Sequence, residues 1–388
     1  MSIFVEHIGA KGFLSFGPEW PGLDLRDLNI LIGPNGSGKS NLIEAIALFK
    51  ALPDNPEKFL SRWGQRFSDW VWKGAPARDE ARLRLTVAMP EGGFFTRFTG
   101  FPASVTHGFG LGKQSVAPER LRLFEELISI TGADTPNAKE ILAATSLTPP
   151  NDMSRSVLSR PRGMHIELLF SIADIYRSIQ IFRGPQTIGP ESIKQSRNSG
   201  PSDVLDDDGT NLGMVLDRIS GKAASRQGLL GAIQEVNPSI VDIRLRPAGG
   251  SAQELFADEG LSELLPVSRM SEGTIRWLCL LAILLNDQPP PLICLEEPEI
   301  GLHPDALIAL ARLLREASKR TQIIVTTHSP TLVDAFTDTP ECVVVCERTP
   351  TGSSMRRLEK DKLQHWLADF NMGLGYLWET GRLGGNRW

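Results

Sequence analysis

Two hydrophobic rhythms alternate along the chain. Leu28-Asn29-Ile30-Leu31-Ile32 is an apolar run of strand length that ends in a glycine-rich turn. Residues 41–52 then carry apolar side chains at Leu42, Ile43, Ile46 and Phe49, the period of a helix. Residues 81–87 alternate apolar and polar, the period of a half-buried strand. From about 101 to 163 the pattern weakens. It predicts a helix over 117–131 and then a mobile stretch rich in Pro, Ser, Thr, Asn and Arg. Apolar periodicity returns over 164–182, and a polar linker with the acidic run Asp206-Asp207-Asp208-Gly209 fills 185–211. Helices are predicted at 212–220 and 227–235, and strands resume at 241–245. The last third is the most regular. A helix runs from near Ser271 through Leu285, a buried strand occupies 292–295, a helix 304–319 and a second buried strand 322–326. Strands alternating with helices predict an α/β fold with parallel strands covered on both faces.

With 388 residues, 41% hydrophobic and 22% charged, the chain can bury a full core. Bulk disorder, a collagen-like repeat and a coiled-coil rod are excluded. The formal net charge of −5 means that nucleic-acid contact must come from local basic patches. Arg155, Arg160, Arg162, Lys194 and Arg197 form one candidate strip, with a solvated insertion as the equal alternative. Trp63, Trp70 and Trp72 suit either base stacking or apolar packing near a nucleotide. Cys279, Cys294, Cys342 and Cys346 lie in apolar or strand-like runs and read as buried thiols of a reducing compartment. The N-terminal residues lack a leader pattern, and the longest apolar run, 277–285, is too short for a bilayer. A soluble cytoplasmic protein without a membrane partner is expected.

Four segments carry chemistry. Gly33-Pro34-Asn35-Gly36-Ser37-Gly38-Lys39-Ser40 fits Gly-x4-Gly-Lys-Ser, between a strand and the helix opened by Asn41. Glycines allow successive backbone N–H groups to wrap a polyphosphate, and the helix start adds partial positive charge. Lys39 would reach the β- and γ-phosphates, Ser40 would ligate Mg²⁺, and Asn41 is a further candidate nucleotide contact. In Leu292-Ile293-Cys294-Leu295-Glu296-Glu297-Pro298 an apolar strand delivers two carboxylates to its C-terminal end. Neighbouring strand residues point to opposite sides, so Glu296 is assigned to the metal and Glu297 to the attacking water. His328 follows the strand over 322–326 and is placed to bond the γ-phosphate or that water. Met270-Ser271-Glu272-Gly273-Thr274 opens an apolar helix, with Ser271 as N-cap. Ser271 and the backbone at Gly273 are also candidates for an anion site facing the γ-phosphate of another subunit.

In order, these segments resemble the Walker A motif, the Walker B motif with its catalytic Glu, the switch His and the ABC signature. The chain is thereby similar to the ABC-type ATPase head of recombination-repair, structural-maintenance-of-chromosomes and overcoming-lysogenisation-defect proteins. Glu-Glu-Pro-Glu, Gly301-Leu302-His303-Pro304 at the D-loop position and Thr-His-Ser-Pro resemble the stand-alone AAA-family predicted ATPases of bacterial gene cassettes. The resemblance covers about 1–90 and 205–388. Glu296 stands where the family carries Asp, Glu272 and Thr274 where transporters carry Gly and Gln, and Gln65 is a weak Q-loop candidate.

The resemblance implies an α/β P-loop NTPase fold with a mixed central sheet, an N-terminal antiparallel β subdomain and a helical insertion. It divides the chain into an N-terminal lobe (1–100), an insertion (101–211) and a C-terminal lobe (212–388). It further implies ATP and Mg²⁺ as cofactors, and a homodimer or higher oligomer with two ATP molecules sandwiched between protomers. No sustained heptads separate Ser40 from Ser271, and the 60 residues after His328 are too few for a Toprim nuclease domain. The expectation is therefore an ATPase gating a separate Toprim- or HNH-like effector in antiphage defence, with nucleic acid as a further candidate partner. The alternatives are a DNA repair or chromosome-maintenance ATPase, and an ATP-bound scaffold with little turnover.

Overall fold

The two-residue rhythm of the N-terminal third builds an antiparallel sheet. The computed structural model describes residues 4–60, 67–74, 80–89, 103–113, 121–132, 139–143, 156–159, 161, 166–184, 203–248, 251–363 and 373–385. They form two compact units, one of residues 1–179, 344–358 and 381–388, the other of 180–343 and 359–380. In the first unit lie β1 (Val5–Lys11), β2 (Leu23–Asp24), β3 (Leu28–Ile32), α1 (Lys39–Ala51) and α2 (Pro56–Leu60). They are followed by β4 (Glu80–Ala88), β5 (Ala103–Lys113), β6 (Leu121–Gly132), β7 (Lys139–Ala143) and α3 (Ile166–Ser178). The sheet order is β2-β1-β4-β5-β6-β7, antiparallel at every pairing. Along β4, Ala81, Leu83, Leu85 and Val87 are buried while Arg82 and Arg84 are exposed, as alternation requires. Phe49 of α1 meets Tyr176 of α3 and Phe109 of β5 edge to face, which seats α1.

The helix expected over 117–131 is absent; β6 occupies 121–132. The reason is a β-bulge. The register with β5 shifts between Gly108 and Gly110, and Glu125 adopts φ +49°. The inserted residue shifts the register, so Leu123 is buried on one side of the bulge, and Ile128 and Ile130, two apart as in a strand, on the other. The insertion expected to be helical thus begins by extending the antiparallel sheet. Within it, Glu126 is buried and accepts from the Ser156 hydroxyl (2.5 Å), the Val157 N–H (3.0 Å) and His107 Nε2 (3.0 Å).

The second unit contains β8 (Gln180–Arg183), α4 (Leu212–Ser220), α5 (Ala223–Gln234), β9 (Ile240–Ala248), β10 (Ser251–Asp258) and β11 (Leu265–Pro266). It continues with α6 (Glu272–Leu284), β12 (Leu292–Glu296), α7 (Ala306–Ser318), β13 (Gln322–Thr326) and α8 (Pro330–Asp334). The strands β13-β12-β8 run parallel, with Cys294 opposite both Ile324 and Ile181. Burial on both faces explains their unbroken apolar runs. Helix α6 is buried from Trp277 through Leu284, and Trp277 Nε1 donates to the Ala232 carbonyl at 2.9 Å. The chain then returns to the first unit with the hairpin β14 (Val343–Thr349) and β15 (Gly352–Arg357), in the order β15-β14-β3. The last helix, α9 (Leu374–Glu379), belongs to the second unit and packs on α8. All four cysteines are buried, and no helix among the described residues is long and apolar enough to cross a membrane.

Candidate functional site

In the first unit, β3 leads directly into the glycine-rich loop. Gly33 and Gly38 take φ of +147° and +103°, a region that L side chains rarely adopt. A Cβ at Gly33 would collide with the Cys346 carbonyl, and one at Gly38 with the Ser353 hydroxyl. Lys39 is 6% exposed, and its ammonium donates to the carbonyls of Gly33 (2.7 Å) and Pro34 (3.0 Å). The amine is therefore already at the loop's mouth, held by contacts that an anion can replace. The Ser37 hydroxyl is buried without a hydrogen-bond partner among the described residues, an orphaned donor that a phosphate oxygen would satisfy. Asn35, Gly36 and Ser40 are exposed, and no acid occupies the first turn of α1 to offset its positive end. Ser40, on that first turn, offers an accessible hydroxyl for Mg²⁺. Burial pushes the Cys346 thiol up to about 12, so it stays a neutral neighbour of Lys39.

Two serines that the motifs do not single out brace this loop. Ser353 Oγ donates to Ser15 Oγ at 2.6 Å, and Asn41 Nδ2 donates to the same oxygen at 2.7 Å. Asn41, expected to bind nucleotide, thus has a bracing role at the start of α1. Ser15, Gly36, Asn41, Trp72, Lys73 and Arg348 are among the residues lining a cavity of about 530 Å³ beside the loop. Trp70 is instead buried against Phe13 and Phe59. Trp63, Gln65 and the basic strip of Arg155, Arg160, Arg162, Lys194 and Arg197 lie outside the described residues.

The second unit holds the carboxylates. β12 delivers Glu296 at its last position, as expected. Glu297 departs from strand geometry: its φ is +47°, in the left-handed region, and its N–H donates to the Thr326 carbonyl at 2.9 Å. Strand alternation therefore does not separate the two residues, and both line one cavity. A strained backbone at a candidate catalytic residue is characteristic of functional sites, where packing holds what local energetics disfavour. Glu297 Oε1 lies 3.7 Å from His328 Nε2, and both side chains are about one-third exposed, at 36% and 33%. The two groups are thus together at the C-terminal end of the parallel strands, where a water could meet both.

Glu299, part of the same acidic motif but without an expected role, organises this pair. It accepts from Thr327 Oγ1 at 2.6 Å and from the His328 N–H at 2.8 Å, fixing the loop that carries the imidazole. Burial is the main cause that raises its pKa above the ordinary value. A carboxyl raised in the folded state favours the native fold at low pH, and that contribution is lost as pH rises through the folded value. Glu299→Gln retains an acceptor and removes the titration. We expect the variant's melting temperature to improve relative to wild type as pH rises from the acid range to neutrality. A parallel pH dependence of the two proteins by calorimetry would contradict this.

Ser271 caps α6 as expected, its hydroxyl accepting from the Thr274 N–H at 3.1 Å, and it is exposed. Gly273 is tightly placed: a Cβ there would lie 2.7 Å from the Gly301 carbonyl. Gly301 itself has φ +79°, so the D-loop-like segment makes its turn there.

The fold is similar to that of solved structures. The Smc head bound to the C-winged helix domain of ScpA superposes with a TM-score of 0.57 at 17% identity, covering 92% of this chain and 99% of that one. The Smc head with an extended coiled coil bound to the C-terminal domain of ScpA, derived from Pyrococcus furiosus, gives 0.57 at 15% identity, covering 95% and 100%. At these identities the likeness is one of fold. No curated protein matches by sequence. Residues 28–334, well over half of the chain, match the family described as "AAA domain, putative AbiEii toxin, Type IV TA system", and the chain belongs to that family.

Proposed function

We propose that this protein is a Mg²⁺-dependent ATPase whose two copies close on two ATP molecules and thereby gate a separate effector, a nuclease of antiphage defence. The observation that carries the reading is the glycine-rich loop, where Lys39 donates to replaceable carbonyl contacts and the buried Ser37 hydroxyl has no partner among the described residues. Bound ATP would supply the γ-phosphoryl group, and Mg²⁺ would offset its charge, with Ser40 and Glu296 as the ligands on this chain. Lys39 and the loop N–H groups bind and orient the phosphates. Glu297 accepts the proton of the attacking water, and His328 orients that water or bonds the γ-phosphate. Ser271, exposed at the start of α6, completes the site of a second copy. Loss of the γ-phosphate removes that contact and reopens the pair, so ATP acts as a switch through its differential affinity for the closed state.

The family's description supports the defence reading. The Smc head seen with a domain of ScpA supports a separate protein partner. The same likeness favours, as a second reading, a chromosome-maintenance or repair ATPase. A toxic nuclease encoded beside the gene, silenced by this protein until phage challenge, separates the two. Dimerisation is tested by mass measurement on the Glu297→Gln form. ATP is expected to double the mass, and adding Ser271→Arg is expected to leave a monomer that still binds ATP. Full dimerisation of the Ser271→Arg form would remove the composite site.

A further inference from the structure

Arg276 ties the start of α6 to the turn that follows β12. Its Nη1 donates to the Ile300 carbonyl at 2.8 Å, and its Nη2 to the Glu272 carboxylate one turn back. The side chain is only 13% exposed, and its Nε–H is buried with no acceptor among the described residues. A planar guanidinium reaches both acceptors in one rigid fork; an ammonium does not. The approach is close at both ends. A Cβ at Gly301 would collide with Arg276 Nη1, and one at Gly273 would press on the Gly301 carbonyl. The Ile300 N–H donates in turn to the Glu297 carbonyl at 3.1 Å. A continuous mechanical path therefore runs from the Ser271 cap through Arg276 and Ile300 to Glu297. Arg276, Glu297 and Ile300 also line a common cavity.

We infer that Arg276 is a positioning residue that makes the two ATP sites of a dimer interdependent. The inference rests on the two-copy reading above. In that arrangement Ser271 of one copy touches the nucleotide held by its partner, while Glu297 of the same copy serves its own nucleotide. Arg276 holds the two ends in fixed relation within one chain. Engagement of Ser271 at one site thus sets the turn that carries Glu297 at the other, and hydrolysis becomes cooperative in ATP.

The test is the ATP dependence of phosphate release, read beside dimer mass and thermal melting. The wild-type protein is expected to show a Hill coefficient of about 2, the limit for two coupled sites, and Arg276→Ala about 1. The variant's kcat is expected to fall, while ATP affinity measured in the monomeric Ser271→Arg background stays the same. A purely structural role would lower the melting temperature but leave the Hill coefficient of the surviving dimers at the wild-type value, which overturns the inference. So does a coefficient of about 1 in the wild type. If Arg276→Ala does not fold, Arg276→Lys takes its place, since its single ammonium cannot span both acceptors; wild-type cooperativity in that form overturns the inference too. Failure of the Glu297→Gln form to dimerise on ATP would instead reject the two-copy reading itself.

Discussion

Replacing Glu297 with Gln is expected to lower ATP turnover by about 10²–10⁴-fold, the range for losing a positioned general base. The amide matches the carboxylate in size but accepts no proton from water. ATP binding should survive, because the carbonyls that Lys39 bonds belong to its own loop and stay in place. The fold should survive as well, since the Glu297 N–H bonds to Thr326 are made by the backbone. A companion variant separates catalysis from strain. At φ +47° a residue with a side chain carries a cost of about 1–2 kcal/mol that glycine does not. Glu297→Gly is therefore expected to be inactive yet to melt above the Gln form. Phosphate release under saturating ATP, with calorimetry on both variants, checks the pair. Unchanged turnover in the Gln form would remove Glu297 from the base role.

Lys39→Ala is expected to have the larger effect on binding. The ammonium is almost fully buried and charge-assisted in its contacts, and losing such a partner costs about 2–5 kcal/mol. That corresponds to about 30- to 4,000-fold weaker ATP binding. The variant should also fail to dimerise on ATP at concentrations that saturate the wild type. Titration calorimetry with ATP and Mg²⁺ checks this; wild-type affinity would mean that the loop does not hold the phosphates. Calorimetric melting of the variant, run beside the titration, separates lost binding from lost stability.

Much of the glycine-rich loop is legible in the order of its residues. A strand, glycines at positions that demand positive φ, a lysine and a helix start are all requirements of neighbouring residues on one another. Gly33 and Gly38 accordingly take positive φ, and Lys39 bonds back to its own loop. The Ser271 cap is legible for the same reason. The parallel strands β12 and β13 are recognisable as short apolar runs that only burial on two faces explains.

What the sequence by itself determined is what local geometry can specify: the glycine-rich loop, the helix cap and the carboxylates at a strand's end. Tertiary structure decided the rest. Residues 121–132 became a strand because a bulge and pairing with β5 outweighed a helix-like spacing. Glu297 left the strand because Thr326 holds its N–H in a turn. Ser15 reaches Ser353 across 338 positions, and Glu299 reaches His328 across 29. Arg276 finds Ile300 only because a helix start and a turn are packed face to face. Periodicity and dihedral preference act over a few residues, whereas register, buried partners and strain are set by whichever distant segments fill the space around a side chain.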